Sequence, residues 1–524
     1  MPKGAIRSIN HPSNFPSTWL LAAAICVCPA AATSAGTLAS TDTATGTGAL
    51  ASESGGSGNT ADGFNALHDN SAGYGNTASG TNALIHNTNG YYNAASGAFA
   101  LVANTTGYYN TANGAYSLYS NTTGNNNTAG GTNALQANTT GIQNTASGAY
   151  ALYYNATGND NTASGFQALY SNIDGYDNTA SGSNALYSNT SGIYNTASGT
   201  NALYSNTSGF YNTASGTNAL YHNDKGTRNS ASGFDALYSN TTGYANTASG
   251  AYALENNTTG YDNAASGYAA LASNTTGYGN TADGYFALYS NSTGTGNVAF
   301  GYQALNAKAG GSNNTAVGTW ALLGLASGGN NIALGFGAGK LTKTGNNDIY
   351  VGHAGINGSE SNVTRIGTGQ TKTFIAGISG TALSGATVVV NSAGQLGVVT
   401  SSARYKKDIK PLAGASAGEK LAQLRPVSFR YKSEPKATHY GLIAEEVAQV
   451  MPELVVRDRA QRPDSVQYIE IVPLLLHQWK AERELNAQQE AEIARLRAEL
   501  AELHRMLATR LAALDQAAET NRRR

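Results

Sequence analysis

The 524-residue chain carries 63 glycines, only 12% charged residues and a formal net charge of -1, which excludes an ordinary globular enzyme composition and points to a repetitive or fibrous build. The near-neutral balance gives no reason to expect nucleic acid or an anionic membrane as partner. Charge is also unevenly placed, since 21 of the 30 Lys and Arg residues lie from Arg404 onward and only Lys225 and Arg228 fall between Asn59 and Phe300.

Residues 1–35 read as a secretory signal peptide: Lys3 and Arg7 precede the apolar run TWLLAAAICVC, and the small-residue stretch PAAATSA follows it. Export to the cell surface or the extracellular space is expected. Cleavage after Ala32 or Ala35 would remove Cys26 and Cys28, so the mature chain would hold no thiol and no disulfide. The apolar run is shorter than the roughly 20 residues that cross a bilayer, and no membrane span is expected in the mature chain. Residues 36–58 read as a low-complexity linker.

Residues 59–352 are a repeat array. A glycine returns every 17 residues from Gly63 to Gly352, a second glycine series runs from Gly73 to Gly345 at the same spacing, and the unit approximates NTASGxxALYSNTTGYx. Thr, Asn, Gly and Tyr dominate it, with Ala and Leu as the apolar positions, a pattern that disfavours helix and suits short strands separated by turns. One unit cannot bury a core, but units stacked in register fill a narrow interior with Ala and Leu while Asn and Thr form ladders along the axis. The predicted fold class is therefore mainly β: a β-solenoid of 17-residue repeats, expected to be trimeric, followed by a small α+β domain and a coiled coil.

Tyrosines such as Tyr108, Tyr109, Tyr187 and Tyr204 would either stack on glycans from outside or pack on the tyrosine of the next rung. Asn-Thr-Thr triplets match N-glycosylation acceptors, and turn chemistry accounts for them equally well. The segment GFGAGKLT, Gly335 to Thr342, superficially resembles a phosphate-binding loop. It lacks the glycine four residues before Gly339 and the Ser or Thr after Lys340, so no nucleotide is expected. The eight His are scattered without paired spacing, and neither metal nor any other cofactor is expected.

Residues 353–400 read as a β-rich neck, with ATVVVNSAGQLGVV as a hairpin that delivers an extended chain to Ser401. Residues 401–475 have the alternation of a small α+β domain, with a helix over Glu445 to Val450 stopped by Pro452. One long helix is expected from Ile469. Over 476–520 it reads as a coiled coil, with Ile493, Leu496, Leu500, Leu503, Leu507 and Leu514 on a and d positions, Arg510 at the intervening d, and Asn486 and Gln489 as polar interruptions upstream. Leu at both positions leaves dimer and trimer open.

Two resemblances sharpen this reading. The repeats, above all GNVAFGYQALNAKAGGSNNTAVGTWAL and NNIALGFGAG, resemble the head repeats of trimeric autotransporter adhesins and related tail-fibre-like proteins, although this unit is longer and no C-terminal membrane barrel follows. The tail, through SSARYKKDI, RPVSFRYK, YGLIAEEVAQVMPELV and QYIEIVPLLL with its terminal coiled coil, resembles the intramolecular chaperone domain of phage endosialidases and tail spikes. That domain is also found in myelin regulatory factor. The resemblance implies a homotrimer whose tail guides folding of the fibre ahead of it and then detaches by self-cleavage.

The family pattern SDxRxKxxI, cut just before its Ser, implies cleavage between Thr400 and Ser401. It makes Ser401 the nucleophile, Lys406 its partner in a Ser-Lys dyad, and Arg404 and Ile409 supporting positions. Ser402 stands where the family has Asp, and Ser402 with Lys407 repeats the same spacing one step later. The chemistry is coherent by itself, because a Ser hydroxyl needs a base, a Lys near other cations or in an apolar site can supply one, and a single turnover within one chain substitutes positioning for substrate binding.

The reading is thus an exported surface fibre with a trimerising, self-removing chaperone, at most a single-turnover serine peptidase. The alternatives are a non-cleaving adhesin that binds a surface glycan or host protein through the rod, or a polysaccharide depolymerase. The last would need paired carboxylates, whereas acids such as Asp160, Asp174, Asp177 and Asp262 mostly occupy variable repeat positions.

Overall fold

The computed structural model describes residues 41–307, 311–375, 387–391, 394–412, 416–458 and 460–523. The signal-peptide stretch 1–35, with Cys26 and Cys28, lies outside the described residues. The chain divides into two compact units, residues 1–373 and 374–524.

The first unit is a β-solenoid. Each repeat contributes one three-residue strand, such as Thr60–Asp62, Thr77–Ser79 and Thr145–Ser147, and these pair in parallel and in register into one 20-stranded sheet. Thr60 faces Thr77, Ala61 faces Ala78, and Asp62 faces Ser79, and the alignment recurs rung after rung. With rungs about 4.8 Å apart, the 19 steps between 20 strands make a rod on the order of 90 Å.

The stack is longer than the repeat count predicts at both ends. Thr43–Thr45 already pairs with Thr60–Asp62, so the coil starts within the stretch read as linker. At the other end Ile349–Val351 pairs with Thr364–Ile366, inside the stretch read as neck. Neither extension carries the full glycine series, and backbone pairing continues where sequence similarity fades.

The interior is filled by columns of identical side chains. The central strand residue points inward (Ala61, Ala78 and so on to Ala333), and an Ala-Leu pair such as Ala66 and Leu67 fills the opposite side, all buried. Ser117 replaces one of these alanines and donates its hydroxyl hydrogen to the Gly114 carbonyl at 2.7 Å, so the polar atom is satisfied. The column of strand alanines ends in Tyr350, fully buried, which plugs the last turn. Its hydroxyl donates to Glu360 Oε1 at 2.9 Å and accepts from Thr342 Oγ1 at 3.0 Å.

Two columns of buried asparagine run beside this core. In one, the backbone N–H and Nδ2 of Asn178 donate to Oδ1 of Asn161, at 3.1 Å each, and Nδ2 also reaches the Gly192 carbonyl at 2.8 Å. In the other, Asn121 Nδ2 donates to Asn104 Oδ1 at 2.9 Å and to the Gly124 carbonyl at 3.0 Å. Asn at these positions satisfies turn carbonyls that would otherwise be buried without donors, each worth about 1–3 kcal/mol if left unpaired. Asn104, Asn121 and Asn138 begin the Asn-Thr-Thr triplets, so their amides are sealed inside the rod and inaccessible to glycosylation in the folded state.

The turns hold non-glycine residues at positive φ in every rung, including the core leucines Leu67 (φ 52°) and Leu186 (φ 53°). Each such residue costs about 1–2 kcal/mol, which the rung above and below must offset through packing and ladder bonds.

In the second unit, Val388–Val390 pairs antiparallel with Leu396–Val398 as the expected hairpin. After it come helix α1 (Ser416–Gln423), the pair Val427–Phe429 with His439–Gly441, helix α2 (Ala444–Val450), the pair Val455–Arg457 with Pro463–Val466, and helix α3 (Tyr468–Arg522). Pro452, lacking an N–H, ends the helical run and opens a short 3-10 turn, Pro452–Leu454. The core is small: Val447, Met451, Leu454, Val455, Val466 and Ile471 are buried. Tyr468 fastens the start of α3 by accepting the Leu442 N–H at 2.8 Å.

Helix α3 uses different faces at its start. Ile471 and Leu474 pack on the small core, whereas Val472, Leu475 and Trp479 lie exposed. Val472, Leu475 and Trp479 extend upstream the same a/d register as Ile493, Leu496, Leu500, Leu503, Leu507 and Leu514, all of them exposed in the single chain. Glu482, Asn486 and Gln489 form the polar gap between the two apolar halves. Among the described residues no helix is long and apolar enough to cross a membrane.

Candidate functional site

Ser401 and Lys406 are brought together by a single tight turn. The sequence between them has no apolar periodicity, and it folds into a 3-10 turn at Ala403–Tyr405, with Tyr405 N–H bonded to the Ser402 carbonyl and Lys406 N–H to the Ala403 carbonyl, both at 3.1 Å. Residues 402 and 406 on either side are extended, which turns the chain back on itself over five positions. As a result Lys406 Nζ stands 3.3 Å from Ser401 Oγ, where the ammonium donates to the hydroxyl. The same contact with the proton reversed is a Ser hydroxyl donating to a neutral amine.

The alternative pair is not assembled. Among the described residues Ser402 Oγ makes no hydrogen bond to Lys407. Arg404 points elsewhere, its guanidinium 4.8 Å from the centre of the Tyr405 ring, a cation–π contact that fixes the turn's outer side. Tyr405 was not singled out by the sequence reading, and the only available signal was an aromatic residue next to Arg404. Asp408 adopts a left-handed conformation (φ 55°), which ends the turn and redirects the chain before Ile409.

Thr400, Ser401, Arg404, Lys406 and Ile409 are all exposed, as is every residue from 401 to 412. Residues of the same chain therefore place the hydroxyl and the amine but do not exclude water from them. Elsewhere in the unit a depression of about 240 Å³ is lined by Leu424, Arg425, Leu442, Ile443, Glu446 and Val450. There the Arg425 guanidinium pairs with the Glu446 carboxylate and holds it below the usual carboxylate range. It contains none of the residues 401–409.

On the rod, the tyrosines use their ring faces on each other. Tyr91 and Tyr108 stack at 4.8 Å with 1° between planes, and Tyr170, Tyr187, Tyr204 and Tyr221 form a continuous stack at 5.0 Å per step. Burial in this stack, together with Tyr154, Tyr187 and Tyr153 around it, pushes the Tyr170 hydroxyl up to about 12. Ring faces so engaged are closed to a stacking sugar, leaving edges and hydroxyls outward. The GFGAGKLT segment is a solenoid turn, with Gly337 and Gly339 at positive φ and Thr342 buried against Tyr350.

No curated protein and no solved structure matches the chain. Residues 401–456 match the family model described as chaperone of endosialidase, and the matched stretch opens on Ser401. The chain therefore joins a β-solenoid of stacked 17-residue repeats to a segment similar to the chaperone of endosialidase.

Proposed function

We propose that the chain is an exported surface fibre whose C-terminal segment acts as a trimerising intramolecular chaperone and removes itself by cutting between Thr400 and Ser401. The observation that carries this reading is the 3.3 Å contact of Lys406 Nζ with Ser401 Oγ at the first residue of the family-matched stretch. In the reaction, neutral Lys406 takes the Ser401 hydroxyl proton and Oγ attacks the Thr400 carbonyl carbon. The Thr400–Ser401 C–N bond then breaks, the amine leaving with a proton, and the resulting ester is hydrolysed by water to a Thr400 carboxylate and a restored Ser401 hydroxyl.

A chaperone of this kind answers a physical problem of the rod. Repeats that nearly match one another can pair one rung out of step at little cost, and a heterogeneous clamp at one end fixes the alignment. The exposed seam of α3 supports self-association, since apolar a and d positions in a single helix have no other means of leaving water. The exposure of residues 401–412 supports the same conclusion for the site, whose water exclusion has to come from a neighbouring copy. A non-cleaving chaperone-bearing adhesin is the second reading, favoured by Ser402 at the position of the family Asp.

Expression of the chain without residues 1–35 tests the proposal. Wild type should yield a fragment whose N-terminal residue is Ser401, and Ser401→Ala or Lys406→Ala should remain full length. An intact wild-type oligomer refutes the peptidase and leaves the chaperone. Cleavage that survives Ser401→Ala but stops in Ser402→Ala assigns the wrong serine here.

A further inference from the structure

The outward face of the solenoid's parallel sheet changes character near its C-terminal end. In the strands from Thr43–Thr45 to Thr281–Asp283, the two outward residues are Thr, Ser or Ala at the first position and Thr, Ser, Asp, Asn or Gly at the last. From Val298–Phe300 onward the strands read VAF, TAV, IAL, IYV and TRI. Their register aligns Val298, Thr315, Ile332, Ile349 and Thr364 in one column and Phe300, Val317, Leu334, Val351 and Ile366 in the other. Phe300, Ile332, Leu334, Ile349 and Ile366 are exposed, Ile366 at 73%.

Nothing in the solenoid interior requires this change, because the inward residues Ala299, Ala316 and Ala333 are those of every other rung. We propose that this apolar face, over residues 298–366, docks against the same face of a second copy of the chain, while the hydroxyl-lined face of the preceding rungs stays in solvent. This rests on the self-associating reading above. Both columns are uncharged, so identical faces meet without repulsion.

Five rungs about 4.8 Å apart with columns about 7 Å apart give roughly 250 Å² per copy, well short of the ~800 Å² per partner of a standard stable interface. The face therefore does not hold copies together alone. It engages when the heptad seam of α3 keeps the copies at high effective concentration, which makes the C-terminal rungs the place where rods first meet in register.

The test uses the full chain carrying Cys26→Ser, Cys28→Ser and Ser401→Ala, so that the tail stays joined and no native thiol interferes. Single cysteines are placed on the two kinds of face, Leu334→Cys and Ser198→Cys, and treated with a short bis-maleimide. The expected result is about tenfold more crosslinked chain at 334 than at 198, as for groups held together against groups merely tethered. Equal crosslinking at both positions overturns confinement to the C-terminal rungs. An oligomer by light scattering that fails to crosslink at 334 overturns the docking face and leaves self-association standing, whereas a monomer overturns both.

Discussion

Two adjacent glycines make opposite demands on the rod, and substituting each separates steric necessity from repeat drift. Gly131 has φ 143°, and a Cβ there would lie 2.6 Å from both the carbonyl carbon and the oxygen of Gly148 in the next rung. Restoring an ordinary 3.4 Å contact requires the two rungs to part by roughly 0.8 Å at that corner. The Gly131 N–H bond to the Asn113 carbonyl, 2.8 Å, and its equivalents in adjoining rungs would lose their geometry. Backbone strain of about 1–3 kcal/mol and two or so weakened ladder bonds of about 1 kcal/mol each put Gly131→Ala at about 3–5 kcal/mol.

Gly130, one residue earlier, occupies the last strand position, where its neighbour in the next rung is Ser147. A Cβ on Gly130 would meet nothing nearer than the Ala146 carbonyl at 3.8 Å. Gly130→Ser should be neutral or stabilising by up to about 1 kcal/mol through the unfolded chain. Because neighbouring rungs carry most of each other's stability, the loss in Gly131→Ala should be local. Amide hydrogen exchange across residues 111–164 of the full chain reads it as faster exchange centred on Thr128–Ser147, absent in Gly130→Ser. Equal protection in the two variants would refute the reasoning that the glycine column sets the rung spacing.

Asp348 occupies the asparagine-ladder position below Asn331, and its Oδ2 is buried without a hydrogen-bond partner while Oδ1 accepts the Val363 N–H at 3.0 Å. Asp348→Asn should place a donor there and stabilise the end of the rod by about 1 kcal/mol or more. Burial raises the Asp348 carboxyl, so the folded state binds its proton more tightly than the unfolded one, and stability should fall as pH rises from near 4, the ordinary aspartate value, through the raised one. Glu360 behaves oppositely: burial pushes it up, but hydrogen bonds from Arg365 and Tyr350 outweigh that and hold it low, so its contribution is lost as pH falls below the usual carboxylate range. Thermal melts of wild type and Asp348→Asn between pH 4 and 7 should differ in slope. In α3, Arg510→Leu should complete the d column and raise the melting temperature of the associated helices by circular dichroism, at the cost of a polar group that restricts register. An unchanged melt would place Arg510 outside the seam.

Much of this was legible because repetition converts one residue's environment into a column. The glycine period gave the rungs, and Ala and Leu at fixed offsets gave the interior. Asn178 and its equivalents were expected in ladders from composition alone, but that the ladders are inside, spanning to glycine carbonyls 14 residues ahead, depends on backbone direction that no pattern of residue types encodes. The rod's true ends escaped for a related reason, since Thr43–Thr45 and Thr364–Ile366 pair through main-chain groups that any residue carries. At the site, the Ser401 and Lys406 spacing suggested a pair, while the 3-10 turn that joins them and the Arg404 contact with Tyr405 arise from short-range geometry rather than periodicity. The half-core of the C-terminal unit was invisible because residues such as Tyr440, 83% exposed, have the composition of interior positions.

The asparagine columns have a consequence for how such a rod can vary. Each Asn takes its bond from the one 17 residues before and hands one to the next, so the chain counts in whole turns. Gain or loss of a complete repeat changes the reach of the rod by one step of about 4.8 Å and leaves both columns unbroken. An insertion of any other length confined within a turn has to bulge outward as a loop or break two ladders at once. The molecule is in this sense a ruler with a fixed graduation, whose length can be edited without renegotiating its interior.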